Sequence, residues 1–381
     1  MVLFIGSLPE PITGQSLACQ VFLDELRLHH DVEVVNTSKV GLKQGVDSLA
    51  RVRGVLGILV AVWKVQRRAA VIYLAISESR AGNLKDLLIY LVCFRRLQRM
   101  VVHLHGGAGL RQILLGHRGA FRLANEFFCR RLGGAIVLGP RHMDVFANAL
   151  PPERIHVVPN FAQDYLFIEP GEIHAKFAFA APLRVLFLSN LIPGKGYLEL
   201  LDAFLALSRA HQEGLRIDFA GGFEDDAQRA EFLQRIRLHP QLRYHGIVGG
   251  RAKCALFQEA HVFCLPTYYP YEGQPISILE AYAAGCAVIT TDHSGIGDVF
   301  RDEENGWQVA KQSVPALATA LVRAISDPQR LRAMALTNRE TARREYRTVI
   351  YSDRLMRVIA GVVPAEPPAP DAPLAPTWPR R

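Results

Sequence analysis

Short, almost wholly apolar runs alternate with helix-length segments along nearly the whole chain, and this constrains the fold more than any other feature. In the first half the runs are VLFIG (2–6), VEVVN (32–36), AVIYLAI (70–76), VVHLHG (101–106), AIVLG (135–139) and IHVVPN (155–160). The second half repeats the pattern with LRVLFLS (183–189), LRIDFAG (215–221), LRYHG (242–246), HVFCLP (261–266) and AVITT (287–291). Strands that are apolar on both sides belong to parallel sheets covered by helices on both faces. Helical patterns over 83–98 and 119–132 fit such crossovers. Eleven candidate strands exceed one ordinary sheet, and the segment QDYLFIEPGEIHAKFAFAAP (163–182) interrupts the alternation. The expectation is an α/β chain with two Rossmann-like, doubly wound domains facing an interdomain cleft.

The expected division is an N-terminal domain over 1–165 and a C-terminal domain over 183–340. A terminal helix over 341–362 crosses back, and a Pro/Ala-rich, extended tail follows over 364–381. The longest apolar run, GVLGILVAVW (54–63), is ten residues, well short of the roughly 20 that span a bilayer. The start, MVLFIGSLPE, reads as a strand and loop rather than a secretion signal. Six cysteines without paired spacing read as reduced core thiols of a cytoplasmic protein. The net charge of +8 is unevenly placed: residues 1–160 hold 20 Lys and Arg against 11 Asp and Glu. Clusters such as WKVQRR, FRRLQR and CRRLGG lie beside apolar stretches. They suit either solvated helix faces or an anionic membrane surface, and no nucleic-acid motif accompanies them.

In open parallel sheets ligands bind beyond the carboxyl ends of the strands, so four loops stand out. GSLPEPITGQS follows the first strand and lets backbone approach a ligand at Gly14; it lacks the G-x-G-x-x-G of nicotinamide-cofactor sites. HLHGGAG puts His105 at a strand end. His103 shares its face, so a two-His metal site is conceivable, though no third ligand is evident. LSNLIPGKG sets Lys195 between glycines, where it reads either as a phosphate contact or as a solvated turn lysine. The acid cluster at Glu224, Asp225 and Asp226 reads as a helix cap rather than a metal site.

The fourth loop, YEGQPISILEAYAAGC (271–286), spaces Glu272 and Glu280 eight residues apart across Pro275. Pro275 suits the first helical position. Glu272 then lies in the entry loop and Glu280 in the second turn, with the free N–H groups of a helix start between them. Helix-start acids also favour the dipole wherever they occur. The combination with the other loops is what points to two facing walls of one cleft.

These segments resemble the retaining GT-B glycosyltransferases of the GT4 family. YEGQPISILEAYAAGCAVITTDHSGIGDVF resembles their E-x7-E region, and FLSNLIPGKG resembles their donor-phosphate turn. The resemblance implies a metal-independent hexosyltransferase using a UDP- or GDP-sugar as co-substrate, with no other cofactor. Glu280 would hold the ribose, Glu272 the transferred sugar, and Lys195 the diphosphate. Gly273, Gln274, Pro275 and Ile276 would line the donor site around the helix start. Gly14 would let the first loop close, and His105 would support transition-state charge from the opposite wall. Family members commonly carry arginine where this chain has Asn190, which donates hydrogen bonds without charge. A lipid-linked or polysaccharide-precursor acceptor in cell-surface glycan assembly would follow, at the inner face of a membrane. The rival readings are a GT-B epimerase or phosphorylase, and a non-catalytic nucleotide-sugar-binding subunit.

Overall fold

A computed structural model describes residues 1–10, 12–38, 48–116, 119–178 and 182–362. Two six-stranded sheets organise them, and every pairing within both is parallel. The first sheet contains β1 (Val2–Gly6), β2 (Val32–Asn36), β3 (Val71–Ala75), β4 (Met100–His103), β5 (Gly134–Val137) and β6 (Ile155–Val157). The second contains β7 (Leu183–Leu188), β8 (Leu215–Ala220), β9 (Leu242–Tyr244), β10 (Val262–Leu265), β11 (Ala287–Thr291) and β12 (Gly306–Val309). Their spatial orders are 2-1-3-4-5-6 and 12-11-10-7-8-9. The direction of winding therefore reverses between β1 and β3 in one sheet and between β7 and β10 in the other, which is where doubly wound sheets open a crevice.

The apolar runs form strands because each strand buries both sides. Successive residues of β1 alternate faces: Leu3 and Ile5 join one core cluster with Ile72 and Leu74, while Val2 and Phe4 join another with Val71 and Tyr73. Helices cover both faces, as parallel sheets require. The eleven strands read from the sequence are all present. The twelfth, β12, was missed: it is four residues long, begins with a glycine at φ +154°, and exposes Gln308, so it lacks a continuous apolar signature.

The segment over 163–182 contains a helix, Pro170–Ala178, whose Ile173 and Phe177 pack into the second core. The helix Pro328–Glu345 also belongs to that core through Leu331, Met334 and Ala335. Beyond it, the helix Thr348–Val362 packs Tyr351, Leu355, Val358 and Ile359 against the first sheet. The two crossings lie side by side: Ala162 N–H donates to the Tyr346 carbonyl at 2.8 Å, and the Phe161 and Tyr351 rings sit 4.8 Å apart. The Pro-rich tail expected over 364–381 falls outside the described residues. Among the described residues no helix is long and apolar enough to cross a membrane.

Candidate active site

The carboxyl ends of both sheets converge on a cavity of about 560 Å³. Gly14, His105, Asn190, Lys195, Glu272, Gly273, Gln274, Pro275, Ile276 and Glu280 all line it, so the sequence-predicted site residues come together in one place. They do not all present side chains to it.

The helix Ile276–Ala283 starts one residue later than the sequence predicts. Pro275 is still extended (φ −62°, ψ 117°) and stands just before the first helical residue. No side chain caps this helix; the Ile278 N–H donates to the Pro275 carbonyl at 3.2 Å, which leaves the N–H groups of Ile276 and Ser277 without a capping side chain at the cavity wall. On either side of it stand two lysine–glutamate pairs. Glu272 accepts from Lys195 Nζ at 2.8 Å and from Thr267 Oγ1 at 3.0 Å. Glu280 accepts from Lys253 Nζ at 2.6 Å. The paired side chains are 13% and 9% exposed in the first case and 12% and 2% in the second. That shielding sets them apart from surface ion pairs, which contribute little. Burial raises the Glu280 carboxyl above its ordinary range, against the lowering pull of Lys253.

Gly273 is fixed by the approach of the two halves. A Cβ there would lie 2.2 Å from the His105 carbonyl oxygen, so only glycine lets the second half's loop rest on the first half's. The side chains of Gln274 and Ile276 serve this interface rather than a ligand. Gln274 donates to the Leu138 carbonyl at 3.0 Å and accepts from Asn160 N–H at 2.7 Å, while Asn160 Nδ2 donates to the Gln274 carbonyl at 2.8 Å. Ile276 packs into the first half's core cluster. What these two residues can offer a donor is backbone, because their side chains are already committed across the cleft floor.

The Lys195 turn is built by two left-handed glycines, Gly194 at φ +91° and Gly196 at φ +87°. The turn aims Lys195 Nζ over the Tyr269 ring at 4.8 Å and toward Glu272. Asn190 sits exposed at the rim of the same cavity.

On the facing wall, His105 follows β4 and its ring lies 3.9 Å from that of His103. His103 is fully buried behind it and shares a 2.7 Å hydrogen bond between Nδ1 and the Tyr73 hydroxyl, so it is held as a packing group. Burial lowers His105 to about 3, and burial together with the neighbouring His105 holds His103 well below its ordinary value. Both imidazoles are therefore neutral at physiological pH, each with one N–H donor and one acceptor nitrogen. The Nδ1 atom of His105 has no hydrogen-bond partner. Among the described residues no group of three or more His, Cys, Asp or Glu is placed to hold a metal ion. Gly14 opens the helix Gly14–His29, capped by Thr13 and Ser16, and a Cβ there would meet only Ile276 Cδ1 at 3.9 Å.

Two charged lining residues escaped the sequence reading. Lys253 sits inside GGRAKCALFQE, where nothing local separates it from a solvated helix lysine; only the fold brings it to Glu280. Glu78 follows β3 at the first sheet's switch point and accepts from Gly109 N–H at 2.7 Å, with burial raising its carboxyl. Its setting, SES before a helix, resembles ordinary capping chemistry. The acid cluster does cap a helix: Asp225 accepts from Gln228 N–H at 2.8 Å.

Residues 171–341 match the family model described as "Glycosyl transferases group 1". Among curated proteins, the chain is similar to the amylovoran biosynthesis glycosyltransferase AmsK of Erwinia amylovora, 27% identical over 187 residues, covering 47% of this chain and 44% of that protein. It is also similar to the phosphatidyl-myo-inositol mannosyltransferase of Mycobacterium leprae, 30% identical over 166 residues, covering 44% and 43%. The chain thus spans less than half the length of these relatives. Solved structures match over nearly the whole chain. Anabaena Alr3699/HepE in complex with UDP-glucose has a TM-score of 0.70 at 16% identity, covering 94% of this chain and 99% of that one. WaaG, a glycosyltransferase involved in lipopolysaccharide biosynthesis, has a TM-score of 0.68 at 15% identity, covering 96% and 100%. The fold is the GT-B fold, and the segment that matches the group 1 glycosyl transferase model carries the Lys195 turn and both glutamates.

Proposed function

We propose that the chain is a retaining glycosyltransferase. It moves a hexose from a UDP- or GDP-sugar to a lipid-linked or polysaccharide-precursor acceptor in cell-surface glycan biosynthesis. One observation carries the reading: two shielded lysine–glutamate pairs bracket an uncapped helix start, opposite a neutral imidazole, in a single cavity.

Each part has a chemical task. The ribose hydroxyls donate to Glu280, whose carboxylate Lys253 holds in place. The diphosphate lies between Lys195 and the N–H groups of Ile276 and Ser277. When the bond from the sugar's anomeric carbon to phosphate oxygen breaks, the electron pair stays on the diphosphate, and these fixed charges stabilise it most at that moment. Glu272 accepts from hydroxyls of the transferred hexose. His105 hydrogen-bonds the sugar from the other wall, and its neutrality avoids placing a second positive charge beside the developing oxocarbenium. The acceptor hydroxyl forms the new bond on the face the phosphate leaves, and its proton passes to the departing phosphate oxygen. Lys195 and the helix start supply the positive charge, so turnover does not need a metal ion.

Similar proteins support the direction of this reading: HepE was solved with UDP-glucose, and AmsK acts in amylovoran biosynthesis. The enzyme works in the cytoplasm, its basic first half toward an anionic membrane surface. The test is transfer from a panel of UDP- and GDP-hexoses, with EDTA present and the product anomer read by NMR. Net retention without metal supports the proposal. Turnover of donor to an isomeric sugar nucleotide without acceptor, or binding without turnover, would replace it with one of the rival readings.

A further inference from the structure

The outer surface of three neighbouring helices in the first half is apolar where a soluble domain is ordinarily polar. Along Ser48–Val65, the residues Val52, Leu56, Val60 and Trp63 fall on one stripe, each at least 50% exposed. The opposite side of that helix is also apolar: Val62 is buried, and Ile58 and Val65 pack on the core. The neighbouring helix Arg80–Val92 exposes Leu84 and Leu91, and the next, Ala120–Cys129, exposes Leu123 and Phe127. Phe94 stacks on Phe127 at 6.1 Å between ring centroids and is itself exposed. Exposed apolar side chains are unremarkable singly, but grouped on adjoining elements they mark a surface built to be covered.

Charge identifies what covers it. Exposed Arg53, Lys64, Arg67, Arg68, Arg95, Arg130 and Arg131 border these side chains, and Arg131 lies over the Phe127 ring at 3.7 Å. The only acids within 52–68, 80–99 and 120–131 are Asp86, buried and bonded by Lys85, and Glu126, paired with Arg122. A second copy of the chain would oppose like charges across the contact. Nucleic acid would take the arginines but offers little to a Leu, Val and Trp stripe. An anionic bilayer satisfies both, with headgroups for the guanidinium groups and an acyl boundary for the apolar side chains.

We propose that the face formed by these three helices docks on an anionic lipid surface, with Trp63, Leu56, Leu91 and Phe94 entering the headgroup layer. This localises the membrane-side reading to a built surface, and it rests on that reading for its purpose. The test is co-sedimentation of the full chain with vesicles of phosphatidylcholine containing phosphatidylglycerol, against phosphatidylcholine alone. Binding to the anionic vesicles should weaken severalfold at high salt and fall about tenfold or more in Leu56→Glu/Trp63→Glu. Arg67→Gln/Arg68→Gln/Arg95→Gln should lose most of the salt-sensitive part; because it alters only exposed side chains, it carries the test alone if the glutamate variant melts early. Equal binding to neutral vesicles, or wild-type binding by both variants, overturns the proposal. So does gel filtration showing a wild-type dimer that the glutamate variant converts to monomer. Thermal stabilisation by nucleotide sugars, measured on the same variants, separates the two ideas: a variant that no longer sediments but keeps that stabilisation leaves the transferase reading intact.

Discussion

Replacing Gly273 by alanine tests the opposition of Glu272 and His105 with a single methyl group. The added Cβ would lie 2.2 Å from the His105 carbonyl oxygen and 3.0 Å from Gly106 Cα. Ordinary carbon–oxygen contacts start at roughly 3.3 Å, so the two walls must part by about 1 Å. Both contacting atoms are backbone, and no side-chain rotation relieves them. Such overpacking costs about 1–3 kcal/mol of stability. A displacement of this size at a reacting centre costs about 100-fold in rate, equivalent to roughly 2.7 kcal/mol of barrier. Lys195, Lys253 and Glu280 all lie within the second half, so donor affinity should change by less than about threefold while kcat/KM falls about 100-fold. The assay is donor binding by calorimetry beside steady-state transfer, with Gly57→Ala as control, since a Cβ at Gly57 meets nothing within 4 Å. Full activity and an unchanged melting temperature in Gly273→Ala would refute the claim that the two walls meet at this glycine to set the catalytic geometry.

Lys195→Met should lower kcat by about 100- to 1,000-fold, the usual effect of removing one charge-stabilising donor, as read from single-turnover transfer; a change confined to KM would assign Lys195 to binding alone. Lys253→Met should raise the donor Kd by about tenfold through loss of Glu280 positioning, measured by calorimetry with the matching nucleoside diphosphate. Lys176 donates to the carbonyls of Ala260 and Ala284 at 2.9 and 2.7 Å, so Lys176→Met should cost about 3–5 kcal/mol in urea unfolding by leaving buried acceptors unmatched. His261 is buried, accepts the Arg184 N–H on Nδ1 at 3.0 Å, and is lowered to about 4 chiefly by burial. The unfolded chain binds that proton first as pH falls, so stability is complete above about pH 6.5 and declines toward pH 4, by up to about 1.4 kcal/mol per unit. Urea midpoints unchanged between pH 7 and pH 4.5 would contradict it.

Much of this architecture was legible because parallel strands buried on both faces leave an unbroken apolar record. β12 was not, since an edge strand beginning at a left-handed glycine and exposing Gln308 leaves no such record. The site was legible where local backbone rules apply: Pro275 before a helix, Gly194 and Gly196 around Lys195, and a histidine ending a strand. It was not legible where tertiary contact decides. Nothing near Gln274 in sequence announces that its amide is spent on Leu138 and Asn160, more than a hundred residues away. Lys253 and Glu78 likewise acquire meaning only when the fold sets one beside Glu280 and the other beneath the His105 loop.

The most direct test of the donor clamp is a crystal structure of the chain with the nucleoside diphosphate that stabilises it most. The account predicts ribose hydroxyls on Glu280, the terminal phosphate between Lys195 and the N–H groups after Pro275, and the space beside Glu272 and His105 left open for the hexose. A nucleotide bound elsewhere, or one whose phosphates avoid both Lys195 and the helix start, would contradict it.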